Sequence, residues 1–232
     1  PVGDAPALLS FENVTTLFHE FGHALHGMLA NTVYPSLSGT GVFWDFVELP
    51  SQIFENWCYE KECLDLFAKH YETGELIPQD YIDKIKASST FQEAYKTIRQ
   101  LSFGFLDMGW YSLNSKEIAQ QIDDPAKFEE EAMKSTELFP KVPGSMMSTQ
   151  FSHIFAGGYS AGYYSYKWAE VLDADAFSLF KEKGIFNAEV AGSFKNTVLS
   201  KGGSIHPMEL YKQFRGREPK VDALLERAGL TK

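Results

Sequence analysis

The chain is short of cysteine, of uninterrupted apolar stretches and of positive charge. Cys58 and Cys63 are the only cysteines among 232 residues. On the helix expected around them, an i, i+5 spacing sets them well apart, so two buried thiols are expected rather than a disulfide or a CxxC metal site. No apolar run approaches the about 18 residues of a membrane-spanning helix, so no membrane is expected among its partners. With 21 Lys and Arg against 31 Asp and Glu, the net charge is -10 and no basic cluster appears. Nucleic acid is excluded as the main partner, because phosphate binding needs gathered cations. No leader is expected within this stretch, which starts at Pro1 with neither Met nor a charged segment before its first motif. It is therefore expected to be a piece of a longer protein.

Aromatic residues are plentiful instead: 19 Phe and 11 Tyr, enough for a sizeable core. Apolar positions recur at three- and four-residue steps over residues 11–30 (Phe11, Val14, Leu17, Phe18, Phe21, Leu25, Met28), which predicts a helix with Ser10 at its cap. Pro35, Gly39 and Gly41 make residues 31–46 a loop. A second helix is predicted over 47–72, burying Ile53, Trp57, Leu64 and Phe67, with Pro50 tolerated in its first turn. Others follow at 78–87, at 90–113 (Phe91, Tyr95, Ile98, Leu101, Phe105, Met108) and from Pro125 to before Pro140. After a loop over 139–158, a tyrosine-rich helix is predicted at 159–184, then shorter ones at 188–200, 207–213 and 219–228. No strand, repeat or linker stands out. The pattern is that of a mainly α single domain, residues 1–232, or part of one.

The first predicted helix contains His19-Glu20-Phe21-Gly22-His23. Two histidines at i and i+4 share a helix face, so both imidazoles can reach one Zn²⁺ at about 2.0–2.1 Å. Glu20, turned roughly 100° from His19, can act as general base on a zinc-activated water without binding the metal itself. Six histidines leave room for a chance match, but the strongly periodic helix and the small Gly22 count against one. His26 is not the third histidine of the long metzincin pattern, which would fall at Leu29; it is expected to be a core or surface residue. The third ligand must come from elsewhere, with Asp45, Glu48 and Glu55 as candidates. Glu48 follows a loop long enough to reverse the chain and could face the zinc from an antiparallel helix. Glu55, two turns on, could orient a ligand imidazole or be a plain surface carboxylate.

Two strings make the pattern specific. His19-Glu20-Phe21-Gly22-His23-Ala24-Leu25-His26, followed by Asp45-Phe46-Val47-Glu48-Leu49-Pro50-Ser51-Gln52 and Glu55-Asn56-Trp57, resembles the zinc-binding region of the thimet oligopeptidase family. The Ser38-Gly39-Thr40-Gly41 loop resembles its substrate-side loop. A second block, Phe151 to Tyr159 running on through Trp168, resembles the segment where the family gathers a histidine and several tyrosines. The resemblance implies a zincin-like, helical catalytic region with little or no β structure. It assigns His19, His23 and Glu48 to zinc and Glu20 as general base. His153, Tyr163 and Tyr166 would polarise the scissile carbonyl, with Tyr159, Gly157 and Gly158 contacting substrate. The i, i+4, i+7 spacing of Tyr159, Tyr163 and Tyr166 puts them on one face of the helix predicted there.

The implied substrates are short peptides, the implied compartment is cytoplasmic, and the resemblance implies the N-terminal region of a longer parent protein as a partner. The His153–Gly158 stretch resembles the dipeptidyl carboxypeptidase branch more than the endopeptidases, so release of C-terminal dipeptides is the expected activity, with endopeptidase cleavage as the alternative. An exopeptidase needs a cation for the substrate's free carboxylate, and Arg215 or Arg217 could supply it or be plain surface ion pairs. A non-catalytic zinc-containing helical binding domain is the alternative from another class.

Overall fold

The computed structural model describes Gly3 and residues 6–231. Their regular structure is helical, with one isolated antiparallel bridge, Lys69 to Leu76, and no strand among the described residues. No helix among the described residues is long and apolar enough to cross a membrane. The chain forms two compact units: Pro1–Phe91 with Ala169–Lys232, and Gln92–Trp168.

The first unit begins with α1, Phe11–Met28, whose start is capped by the Ser10 hydroxyl accepting from the Asn13 amide at 3.2 Å. Leu17, Phe21 and Met28 are exposed, although they belong to its apolar repeat. The buried positions are Gly22 and His26, because the side that meets the next helix is selected by close approach rather than by hydrophobicity. A Cβ on Gly22 would lie 2.3 Å from the Pro50 carbonyl oxygen and 2.6 Å from the Ser51 Cα. Backbone therefore rests directly on backbone there.

The predicted helix over 47–72 is broken into α2 (Leu49–Glu55), a 3-10 stretch (Asn56–Tyr59) and α3 (Lys61–Phe67). Pro50 sits in the first turn, where its missing N–H costs nothing. The break falls at Asn56, whose side-chain amide donates to the Ile53 carbonyl at 3.0 Å and competes with the backbone ladder. Ile53, Trp57 and Leu64 are buried as expected, whereas Phe67 is exposed. Trp57 packs edge-on against Phe177 and Phe180 and donates its indole N–H to the Ile185 carbonyl at 3.1 Å. Those partners come from α9 (Ser165–Lys183) and the turn after it; α4 (Gln79–Ser89), α10 (Ala188–Phe194), α11 (Pro207–Arg215) and α12 (Asp222–Arg227) complete the unit. Cys58 and Cys63 are free and buried, and burial pushes the Cys58 thiol up to about 12.

The second unit is built on α5 (Glu93–Tyr111), with α6 (Lys116–Gln120), α7 (Pro125–Met133) and a single turn, α8 (Ser152–Phe155). Its core joins Phe103, Leu106, Phe151 and Ile154. Of the expected buried stripe, Phe91, Tyr95, Leu101, Phe105 and Met108 are exposed and Ile98 is half-buried. The buried stripe instead runs through Ser102, Phe103, Leu106 and Asp107, and two of those four residues are polar. Hydropathy alone picks the wrong face when polar groups are buried for their hydrogen bonds.

Candidate metal centre

His19 and His23 project from α1 onto the start of α2, where Glu48 stands as the residue before the helix. The His19 Nε2 lies 3.4 Å and the His23 Nε2 3.2 Å from the same atom, Glu48 Oε2. One donor atom from each of the three residues falls within 4.8 Å of the others. Glu48 is buried at 3% exposure, and its side chain makes no capping bond to its own helix. Pro50 has removed one of the two amides such a cap would use. The carboxylate is turned to the histidines and steadied by the Ser51 hydroxyl, which donates to Oε2 at 2.8 Å.

Glu55 holds the other side of His19, with Oε1 2.7 Å from Nδ1. An ionised carboxylate only accepts, so Nδ1 carries a proton, and a cation that displaces the second proton would find the Nε2 lone pair on the Glu48 side. Burial opposes a charge on His19, but Glu48 and Glu55 outweigh it and raise its pKa to about 10. Two carboxylates around a pair of imidazoles make a pocket that attracts cations. Two imidazole nitrogens and one carboxylate oxygen, facing a common point, are the donor set of a three-ligand zinc site with an open position. Glu20 lies beside His19 on the exposed side of α1. His26 is fully buried one turn beyond His23, with no hydrogen-bond partner on either ring nitrogen, and burial lowers its pKa to about 4.

In the second unit, His153, Tyr159, Tyr163 and Tyr166 gather into one aromatic cluster. Tyr159 stacks on Tyr166 at 4.9 Å between ring centroids, Tyr163 meets Tyr166 at 5.3 Å, and His153 lies 5.8 Å from Tyr163. The helix predicted from 159 begins only at Ser165, so Tyr159 and Tyr163 are brought together by a turn, not by a helix face. The turn is tied down by Asp107 of α5, fully buried, which accepts from the Ala161 and Tyr163 amides at 2.8 and 2.9 Å. Tyr111 adds a bond from its hydroxyl to the Ile154 carbonyl at 2.6 Å. Gly157 packs where a Cβ would lie 2.9 Å from the His153 Cα, and Gly158 has φ +85°. Burial raises the Tyr163 pKa, and its hydroxyl donates to Gln100 Oε1 at 3.3 Å.

Arg215 is occupied elsewhere: its donors bond the Asp175 carbonyl at 3.0 Å and the Ser178 hydroxyl at 2.9 Å. Arg217 makes a two-pronged ion pair with Asp175 at 2.6 and 2.9 Å. Both tie α11 and its exit to α9.

Comparison with known proteins matches residues 1–230 to the model of peptidase family M3. The chain belongs to that family. It is 50% identical to oligopeptidase A of Escherichia coli (strain K12) over 234 residues, covering 99% of this chain and 34% of that protein. Against the dipeptidyl carboxypeptidase of the same strain it is 40% identical over 231 residues, again 99% of this chain and 34% of the relative. The organellar oligopeptidase A of Arabidopsis thaliana is 44% identical, with 99% and 29% covered. The chain thus spans about a third of the length of these curated relatives. Sequence reasoning missed two residues of this M3 chain that hold candidate groups: Ser51 at the Glu48 carboxylate and Asp107 at the tyrosine turn. An acidic residue on one helix face with Phe103 and Leu106 was the signal for Asp107; Ser51 gave none beyond its place three residues after Glu48.

Proposed function

We propose that this chain is the catalytic region of a zinc peptidase that hydrolyses short peptides, with His19, His23 and Glu48 holding the metal. The observation that carries the proposal is the meeting of both Nε2 atoms at one Glu48 oxygen. Zinc, when bound, supplies a Lewis acid that polarises a carbonyl and makes a nearby water more acidic. Glu20, exposed next to the first ligand, takes the proton of the attacking water and returns it to the leaving amine. Glu55 keeps the His19 ring in the tautomer that presents Nε2. Tyr163 and Tyr166, with His153, donate to the oxygen of the scissile carbonyl as charge gathers there; burial helps keep the Tyr163 phenol protonated for this task. Tyr159, Gly157 and Gly158 contact the peptide. Replacing Glu20→Gln in the protein that carries this chain tests the reading: zinc stays bound and hydrolysis falls by about 10²–10⁴-fold. Undiminished hydrolysis would remove Glu20 from the mechanism.

Cleavage within peptides, in the oligopeptidase manner, is the mode we favour. The 50% identity to an oligopeptidase A, against 40% to a dipeptidyl carboxypeptidase, supports it. So does the engagement of Arg215 and Arg217 with α9, which leaves neither as an evident holder for a free carboxylate. Dipeptide release stands as the second reading, on the form of the His153–Gly158 segment. A peptide amidated at its C-terminus separates the two: endopeptidase action cuts it as fast as the free acid, and dipeptide release does not.

A further inference from the structure

Glu55 is the last residue of α2, and the chain changes to a 3-10 twist at the next residue, Asn56. The direction of the Glu55 side chain is therefore set by where that change occurs. Asn56 is buried, and its side chain is held at both ends. Its amide donates to Asp173 Oδ1 at 2.8 Å and to the Ile53 carbonyl at 3.0 Å, while its oxygen accepts from Arg227 at 2.9 Å. Arg227, at the end of α12, also pairs with Asp173 through both terminal nitrogens, the second at 3.2 Å. Asp173 is 1% exposed, so this acid would be a costly isolated charge without the guanidinium. The Glu55 carboxylate is one of the acids whose field stabilises the Arg227 cation. A residue 171 positions away in sequence thus closes a planar fork over the point where α2 ends.

We propose that Arg227 is a positioning residue for the ligand His19: through Asn56 and Asp173 it fixes the end of α2, and with it the Glu55 carboxylate that orients the imidazole. This role rests on the metal-site assignment above. A merely structural Arg227 would lower stability whatever stood at position 55, whereas a positioning one acts on zinc only through Glu55.

The test is a double-mutant cycle on zinc affinity, measured on the full chain by competition with a chromophoric chelator. Arg227→Met and Glu55→Ala are each expected to weaken zinc about 10–100-fold. Combined, they weaken it no more than Glu55→Ala alone. Arg227→Lys keeps the charge but cannot bond Asn56 and Asp173 as a fork, and serves if the Met variant does not fold; it is expected to lose several-fold. Unchanged affinity in either Arg227 variant, or the same loss in the Glu55→Ala background, overturns the Arg227 role alone. A wild-type chain that takes up no zinc overturns the metal reading, and the Arg227 role with it.

Discussion

Replacing Gly22 by Ala adds one methyl group where α1 rests on α2. The new Cβ would lie 2.3 Å from the Pro50 carbonyl oxygen, 2.6 Å from the Ser51 Cα and 2.9 Å from the Pro50 carbonyl carbon. All three are backbone atoms, so no side chain can swing aside. Carbon contacts relax only near about 3.5 Å, so the two helices must part by about 1 Å. Overpacking of this kind costs about 1–3 kcal/mol, and the better helix propensity of alanine returns about 1 kcal/mol of it. The fall in thermal stability is then modest. The metal centre suffers more, because His19 and His23 stand on one helix and Glu48 at the start of the other, with both Nε2 atoms within 3.4 Å of Glu48 Oε2. A functional site tolerates about 0.5 Å of misplacement, so zinc affinity is expected to fall by on the order of tenfold or more. Chelator competition reads the affinity, and thermal unfolding of the metal-free chain reads the stability. Gly27→Ala on the same helix is the control, since a Cβ there meets nothing within 4 Å. It should raise stability by roughly 0.5–1 kcal/mol and leave zinc alone. If Gly22→Ala binds zinc as the wild type does, the close contact does not set the ligand geometry and the reasoning fails.

Asp107→Ala leaves the Ala161 and Tyr163 amides without their acceptor, which should cost about 1–3 kcal/mol and slow hydrolysis without changing zinc affinity; equal loss of zinc would contradict the division of roles. Glu55→Ala should weaken zinc and also lower the melting of the metal-free chain near neutral pH, because Glu55 helps hold the charge on His19; that loss should fade as the pH rises toward 10. His26 predicts a pH dependence. Its ring takes a proton at about 6.5 when exposed, but burial, with help from His23, keeps it neutral down to about 4 in the folded chain. Between those values the unfolded chain binds more protons, so the contribution is full above about 6.5 and drains as the pH falls toward 4. His26→Leu should flatten urea-unfolding stability over that window; an unchanged slope would place the acid sensitivity elsewhere.

Local chemistry was legible where it needed only local geometry. The i, i+4 pair His19 and His23 requires nothing but a helix, and Ser10 caps that helix by bonding three residues on. Pro50 is tolerated in the first turn for reasons any helix supplies. Tertiary hydrogen bonds were not legible in the same way. Asn56 ends α2 because Asp173 and Arg227 hold its side chain, and neither is near it in sequence. The tyrosine segment has helical spacing, yet Asp107 claims two of its amides and the helix waits until Ser165.

The same contrast explains why the candidate metal ligands were legible although several of the contacts around them were not. Metal ligands are recognised by residue type and spacing, which a sequence displays. The groups that orient them are ordinary polar residues, such as Ser51 and Asn56, chosen by where the backbone happens to bring them; Glu55 was legible only as one of two readings. An α1 without Gly22 would still read as H-E-x-x-H, but it could not rest on Pro50, and Glu48 would no longer meet both imidazoles. The motif names the chemistry; the close contact of two backbones is what assembles it.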